Sequence, residues 1–386
     1  MKIMSVVGAR PNFMKIAPFV RALEKHNNKV NISGGITLEH YLVHTGQHYD
    51  SSLSASFFET LNIPSPNIDL EIGSGTHAEQ VGRTMIEFEK VVKNQKPDWV
   101  VVVGDVNATC ACSITAKKEQ VKLAHIESGL RSFDMSMPEE INRMVTDRLS
   151  DILFTTDEFA DKNLIDEGVT QDKIKRVGNI MIDTLLDHKQ QAESKSISDI
   201  ISINRIPESQ SVYGHLNDFA VVTLHRPSNV DEKTVFSRIV KLLADSVCKE
   251  MSVIWPVHPR TMHRLKEYDL FESLLVQRNL ILLKPIDYLD LLKLNIHANV
   301  VLTDSGGVQE ECCVLGTPCL TLRWNTERPV TLREYGGVNI LVGNDVERIK
   351  KGFDQLKNLS KRPFAPQYWD GLTAERIVNT LVEQTK

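Results

Sequence analysis

No apolar run in the chain reaches the ~20 residues that a membrane-spanning helix needs. The opening MKIMSVVGARPNF turns from a short apolar run into Gly-Ala-Arg-Pro, without the long apolar core and small-residue cleavage site of a signal peptide. Positive charge is not in excess: 45 Lys and Arg against 50 Asp and Glu leave a formal net charge of −5. That excludes a basic footprint for nucleic acid or an anionic membrane, so any phosphate binding has to be local. The six cysteines, Cys110, Cys112, Cys248, Cys312, Cys313 and Cys319, form no CxxC pair and mostly lie in apolar segments. They read as buried free thiols in a reducing compartment. The loop after the first apolar run is neither GxGxxG nor GxxxxGK[ST], which argues against NAD or Walker-type ATP binding. The expectation is a soluble cytoplasmic protein, 41% hydrophobic and 25% charged, whose 386 residues suffice for two domains.

What is there is an alternation of β-rich and amphipathic segments. Lys2–Val7, Tyr41–His44, Trp99–Val103, Val121–Ala124, Ile152–Thr155 and Ile174–Val177 read as strands. Helical spacing over 12–25, 77–94 and 108–118 lies between them. Between about Gln190 and Asn217 the pattern dissolves into Ser, Asn, Glu and Pro, which predicts a linker plus a variable loop. A second series then begins: Phe219–Leu224, a helix over 232–249, Ser252–Val257, Leu280–Lys284, Val300–Thr303 and Cys319–Arg323. Two such halves predict two doubly wound parallel sheets with right-handed crossovers, facing a cleft.

Polar insertions follow the strands, where open α/β sheets bind ligands. The stretch His125–Arg143, HIESGLRSFDMSMPEEINR, places Glu127, Arg131 and Asp134 beyond a buried strand, then Pro138, Glu139 and Glu140 at a helix start. Its bland alternative is a surface loop with Glu127 paired to Arg131 and the two later glutamates complementing the helix dipole. Arg10, with Lys15 one turn into the helix, supplies charge suited to phosphate, or else two solvated cations. Ser305-Gly306-Gly307 opens a helix towards an anion, and Glu310 or Glu311 is placed to accept from a ribose diol; the alternative is an N-cap by Asp304 or Ser305. His225-Arg226 and His258-Pro259-Arg260 follow successive strands, with phosphate and proton-transfer roles preferred over zinc. Arg328 adds a guanidinium after another strand. Asp105, Glu127 and Glu139 are the carboxylates that proton abstraction in a desolvated site would require.

Together GARPNFMK, TGQHYD, GDVNAT, HIESGLRSFD, MPEEINR, TLHRPSN, PVHPR, TDSGGVQEE and NTERP resemble, in order, the UDP-N-acetylglucosamine 2-epimerase family, from residue 1 to at least residue 380. The resemblance implies two Rossmann-like domains of GT-B type. Residues 1–185 and 366–386 would form the first, with the helix Thr373–Glu383 crossing back, and residues 186–365 the UDP-binding second. It assigns Asp105, Glu127, Glu139 and His225 to catalysis. Arg10, Lys15, Ser305, Gly306, Gly307, Glu311 and Arg328 would hold UDP, with Leu291 near the uracil. Gln47 and His48 fall in the region of a possible regulatory site. The implied reaction is C2 epimerisation without cofactor or metal, by elimination of UDP to a 2-acetamidoglucal and re-addition. Asp105 or Glu127 would be the base and Glu139 would return the proton. A homodimer, polysaccharide biosynthesis and the non-hydrolysing type are implied as well. The rivals are a hydrolysing 2-epimerase, a glycosyltransferase of the same fold and a non-catalytic nucleotide-sugar binder.

Overall fold

A computed structural model describes residues 1–46, 63–207 and 218–384. The chain divides into two compact units, Met1–Thr184 with Pro366–Lys386, and Leu185–Ala365. Both are α/β with purely parallel sheets, and the expectation of two doubly wound domains holds.

The first unit carries β1 (Lys2–Val7), β2 (Glu39–His44), β3 (Ile68–Asp69), β4 (Trp99–Val103), β5 (Lys122–Ser128), β6 (Ile152–Thr155) and β7 (Ile174–Arg176). They lie in the order β3-β2-β1-β4-β5-β6-β7. A parallel sheet covered by helices on both faces is buried on both faces, so its strands read as continuous apolar runs. Trp99–Val103 is such a run, buried at every position. The order reverses between β1 and β4, and a reversal opens a crevice at the carboxyl ends of the strands. The second unit repeats the plan with β8 (Phe219–Thr223), β9 (Ser252–Pro256), β10 (Leu280–Leu283), β11 (Val300–Thr303), β12 (Cys319–Thr321) and β13 (Asn339–Leu341). Its order is β10-β9-β8-β11-β12-β13, with the reversal between β8 and β11.

Three expectations need correction. The strand read as Val121–Ala124 runs on through Ser128, so Glu127 lies within β5 and not in a loop beyond it. The linker expected over 190–217 is partly helical. The helix Ile180–Glu193 continues into it, and Ile197–Asn204, with an apolar face and a Ser196 cap, packs Ile200 and Ile201 into the second core. The helix expected over 232–249 is broken, with a π-helical turn at Leu243–Val247 between Lys233–Leu242 and Cys248–Glu250. All six cysteines are free and buried. Among the described residues no helix is long and apolar enough to cross a membrane.

The tail returns to the first unit. The Asp183 carboxylate accepts from the backbone N–H groups of Thr373 and Ala374, at 3.2 and 2.8 Å, and so caps the helix Thr373–Glu383. Trp369, 2% exposed, donates from its indole nitrogen to the Thr156 carbonyl at 2.9 Å. At Gly178, with φ +99°, a Cβ would stand 2.0 Å from the Tyr368 carbonyl oxygen, so only glycine admits this return.

Candidate active site

In the first unit the acids gather at the switch point. β5 is in register with β6 at Ile126↔Phe154 and again at Ser128↔Thr155, which leaves Glu127 as the extra residue of a bulge. Its φ of +72° lies in the left-handed region, a conformation costing of the order of 1 kcal/mol for a residue with a Cβ. Such strain concentrates at functional sites. The Glu127 carboxylate is buried and forms an ion pair with Lys15 on the helix Arg10–Ser33. Arg131, which the surface-loop alternative pairs with Glu127, instead lies 2.7 Å from Asp147 and 2.7 Å from Glu167. Gly104 forms the floor of the pair. With φ +68°, its missing Cβ would be 3.1 Å from the Lys15 ammonium and 3.4 Å from a Glu127 oxygen.

Asn12 sets the loop ahead of Lys15. Its side-chain oxygen accepts from the N–H groups of Gly8 and Ala9 at 3.1 and 3.0 Å, while its nitrogen donates to the Val103 carbonyl at 3.0 Å. That fastens the end of β1 to the end of β4. Asp105, one residue beyond Gly104, accepts from an Arg143 nitrogen at 2.5 Å. Arg143 also donates to Glu140 at 2.6 and 3.0 Å. Burial alone would raise the Glu140 carboxyl, but donors from Ser132, Arg143 and Phe133 outweigh it and hold the group below its ordinary value. Glu139, the candidate acid, precedes this anchored residue in the first turn of the helix Pro138–Leu149 and is half-buried. Asp105, Glu127 and Glu139 thus stand at two neighbouring strand ends and on a helix clamped to one of them.

In the second unit Asp304 spans the other switch point. Neither it nor Ser305 caps the following helix Gly306–Leu315 through a side chain, which removes the simple N-cap alternative. The Asp304 carboxylate accepts from the N–H groups of His225 and Arg226 at 3.0 and 2.9 Å and from the Asn229 amide at 3.0 Å. It also lies 2.9 Å from His225 Nδ1. Burial would raise Asp304, and the His225 contact with these donors reverses it to a lowered value. His225 and His258 face each other with ring centroids 5.4 Å apart. His258 Nδ1 accepts from the Arg260 N–H at 3.2 Å, capping the helix Pro259–Glu267.

Arg328 lies over the amino end of the helix Gly306–Leu315: a Cβ on Gly306 would come within 2.6 Å of its guanidinium. It is held by Glu310 at 2.5 Å and Glu327 at 3.2 Å, and Glu327 in turn is held by Arg323 at 2.7 and 2.8 Å. A fixed guanidinium above a helix amino end is an arrangement able to hold an anion. Glu311 is turned inward, 3% exposed, and Leu291 packs against the second core. Burial, with the charge of Glu310, pushes the Glu311 carboxyl from 4.5 up to about 7, while Tyr288 and Asn295 pull the other way.

That shift has a consequence for stability. The folded chain keeps the Glu311 proton where the unfolded chain loses it. Stability from this group is therefore full below pH 4.5 and declines as the pH rises towards about 7, by about 3 kcal/mol in all. Glu311→Gln is expected to flatten the fall of the melting temperature between those limits, read by thermal melts against the parent. Parallel curves would refute it.

Of the other foreseen residues, Gln47 and His48 lie outside the described residues, as does the side chain of Arg10, the first residue of its helix. Sequence reasoning passed over Asn12, Asp304 and Arg143 as site residues. Arg143 carried a signal: three residues after Glu140 on one helix, it forms an i, i+3 pair.

Two doubly wound domains, each with charged groups gathered at its switch point, define an α/β protein of the GT-B-like class. The family model described as UDP-N-acetylglucosamine 2-epimerase matches residues 32–382. A UDP-N-acetylglucosamine 2-epimerase of Methanocaldococcus jannaschii is 41% identical over 388 residues, covering 99% of each chain. A UDP-2,3-diacetamido-2,3-dideoxy-D-glucuronate 2-epimerase of Pseudomonas aeruginosa is 40% identical, covering 99% of this chain and 100% of its own. The crystal structure of the M. jannaschii UDP-GlcNAc 2-epimerase in complex with UDP-GlcNAc and UDP has a TM-score of 0.87 at 40% identity, covering 99% of this chain and 100% of that one. The chain belongs to the UDP-N-acetylglucosamine 2-epimerase family and is an isomerase.

Proposed function

We propose that the protein interconverts UDP-N-acetylglucosamine and UDP-N-acetylmannosamine by a non-hydrolysing route. The C2 proton has no carbonyl beside it, so simple removal and return is unfavourable. Elimination of UDP across C1–C2 avoids this. One base takes the C2 proton, the C1–O bond breaks with its electron pair leaving on the diphosphate, and a 2-acetamidoglucal remains. Re-addition of UDP at C1, with a proton delivered to the opposite face of C2, gives the epimer. The step needs a base, an acid and cationic stabilisation of the departing diphosphate.

Asp105 or Glu127 serves as the base in this reading and Glu139 returns the proton. Ser305, Gly306, Gly307 and Arg328 hold the diphosphate, with His225 beside it and Glu311 at the ribose; Arg10 and Lys15 add charge from the first unit, and Leu291 stands near the uracil. The observation that carries the reading is the Arg328 guanidinium fixed by Glu310 and Glu327 above the Gly306 helix end. A group so anchored supports a diphosphate without having to be ordered on binding. The M. jannaschii relative crystallised with UDP-GlcNAc and UDP supports the substrate.

Incubation with UDP-N-acetylglucosamine in D2O, followed by NMR, tests this. Deuterium at C2 in both UDP-sugars is the expected result. Free N-acetylmannosamine with UDP would establish the hydrolysing alternative, and no reaction without an acceptor would point to a glycosyltransferase. The likeness to the P. aeruginosa enzyme favours one second reading, a diacetamido-glucuronate substrate. Turnover of that sugar alone would replace the first.

A further inference from the structure

We infer that His125 is a positioning residue that fixes the spacing between Asp105 and Glu127. The inference rests on the acid–base roles proposed for those two residues. The paired ladder between β4 and β5 ends at Val103↔Ile126, with one last backbone bond to the Gly104 N–H, so the Gly104 carbonyl and Asp105 lie just past the point where backbone pairing sets their place. Two contacts hold Gly104 there. Its N–H donates to the Ile126 carbonyl at 3.1 Å, and its own carbonyl lies 2.9 Å from His125 Nε2. Both come from the strand that carries Glu127.

The histidine is held as firmly as it holds. Its ring is fully buried, with Nδ1 2.6 Å from an Asp147 oxygen. A carbonyl oxygen only accepts, so Nε2 donates to Gly104. Burial would raise the Asp147 carboxyl, but His125 and Arg131 outweigh it and keep the group below its ordinary value. Arg131 at 2.7 Å and the Gly129 N–H at 3.1 Å fix Asp147 from its other side, and Glu167 grips Arg131. The chain Glu167–Arg131–Asp147–His125 therefore ends on the peptide that carries Asp105. If the tether is cut, the Gly104 N–H to Ile126 and the contacts of Asp105 with Arg143 and Asn142 remain. The Gly104 carbonyl, however, loses the bond that sets the rotation of the Gly104–Asp105 peptide relative to Glu127. Misplacement of the order of 1 Å costs about a hundredfold in rate.

Steady-state kinetics of the full chain with His125→Gln, His125→Asn and His125→Ala tests this, alongside melting temperature, UDP affinity and Glu127→Gln as reference. Glutamine places an amide N–H near the Nε2 position and asparagine one near Nδ1. His125→Asn and His125→Ala are expected to lower kcat about 10- to 100-fold with KM and UDP affinity little changed, and His125→Gln to recover most of that loss. Equal losses in all three variants would overturn the proposal, since the contact to Gly104 would then not be what matters. Parental kcat in His125→Ala, with Glu127→Gln inactive, would overturn it too. Normal turnover in Glu127→Gln would instead sink the acid–base reading itself. Should His125→Ala not fold, the comparison of glutamine with asparagine decides alone.

Discussion

Glu127→Gln is expected to lower turnover by about 10² to 10⁴-fold while UDP affinity stays at the parental value. The substitution keeps the shape of the side chain and removes its charge and its capacity to take a proton. UDP affinity in this reading belongs mainly to the second unit, so it reports whether the fold has survived. The change also leaves the Lys15 ammonium, 7% exposed at its residue, without this carboxylate. Removing one member of a buried pair costs about 3–5 kcal/mol, so the melting temperature should drop as well. Lys15→Met together with Glu127→Gln separates the two effects: it should regain much of the stability and none of the turnover. Near-normal turnover by Glu127→Gln would take the residue out of the mechanism.

Arg328→Ala should act on the other half of the chemistry. A hydrogen bond to a charged group contributes about 1.5–3 kcal/mol, and a tenfold change in affinity is about 1.4 kcal/mol. Loss of the fork should therefore weaken UDP binding at least about tenfold, and about a hundredfold where two bonds are lost, measured by calorimetry. Glu310, 1% exposed, loses the guanidinium 2.5 Å away, so stability should fall too. Arg328→Ala with Glu310→Gln is expected to restore the melting temperature and leave UDP binding weak. Arg328→Lys keeps the charge without the planar fork and should fall between. Parental UDP affinity in Arg328→Ala would remove the diphosphate from this place.

The strands that form the floor of each sheet were legible because burial on both faces leaves an uninterrupted apolar run, as at Trp99–Val103. β5 was harder to see. His125, Glu127 and Ser128 are polar residues in a buried strand, and polarity read as the end of the strand. Glu127 is paired with Lys15, and His125 with Asp147 and the Gly104 carbonyl, and such distant partners leave no local pattern. A bulge has no signature of its own either, since the extra residue appears only when two strands are laid in register. In the second unit the Ser-Gly-Gly turn was visible from glycine alone. The role of Asp304 was not, because His225 and Asn229 lie more than seventy positions away. The polar stretch after Gln190 misled for the opposite reason: the helix Ile197–Asn204 is short and buries isoleucines that a composition count dilutes among serines.

The return of residues 366–386 to the first unit bears on the order in which the protein is made. Helix Thr373–Glu383 and the Trp369 anchor belong to a core whose strands were all synthesised before residue 177. The second unit is an unbroken segment and has every one of its contacts available once residue 365 has left the ribosome. The half that emerges first is thus completed after the other, and until then the Asp183 carboxylate and the open face of Gly178 wait for residues 366–383.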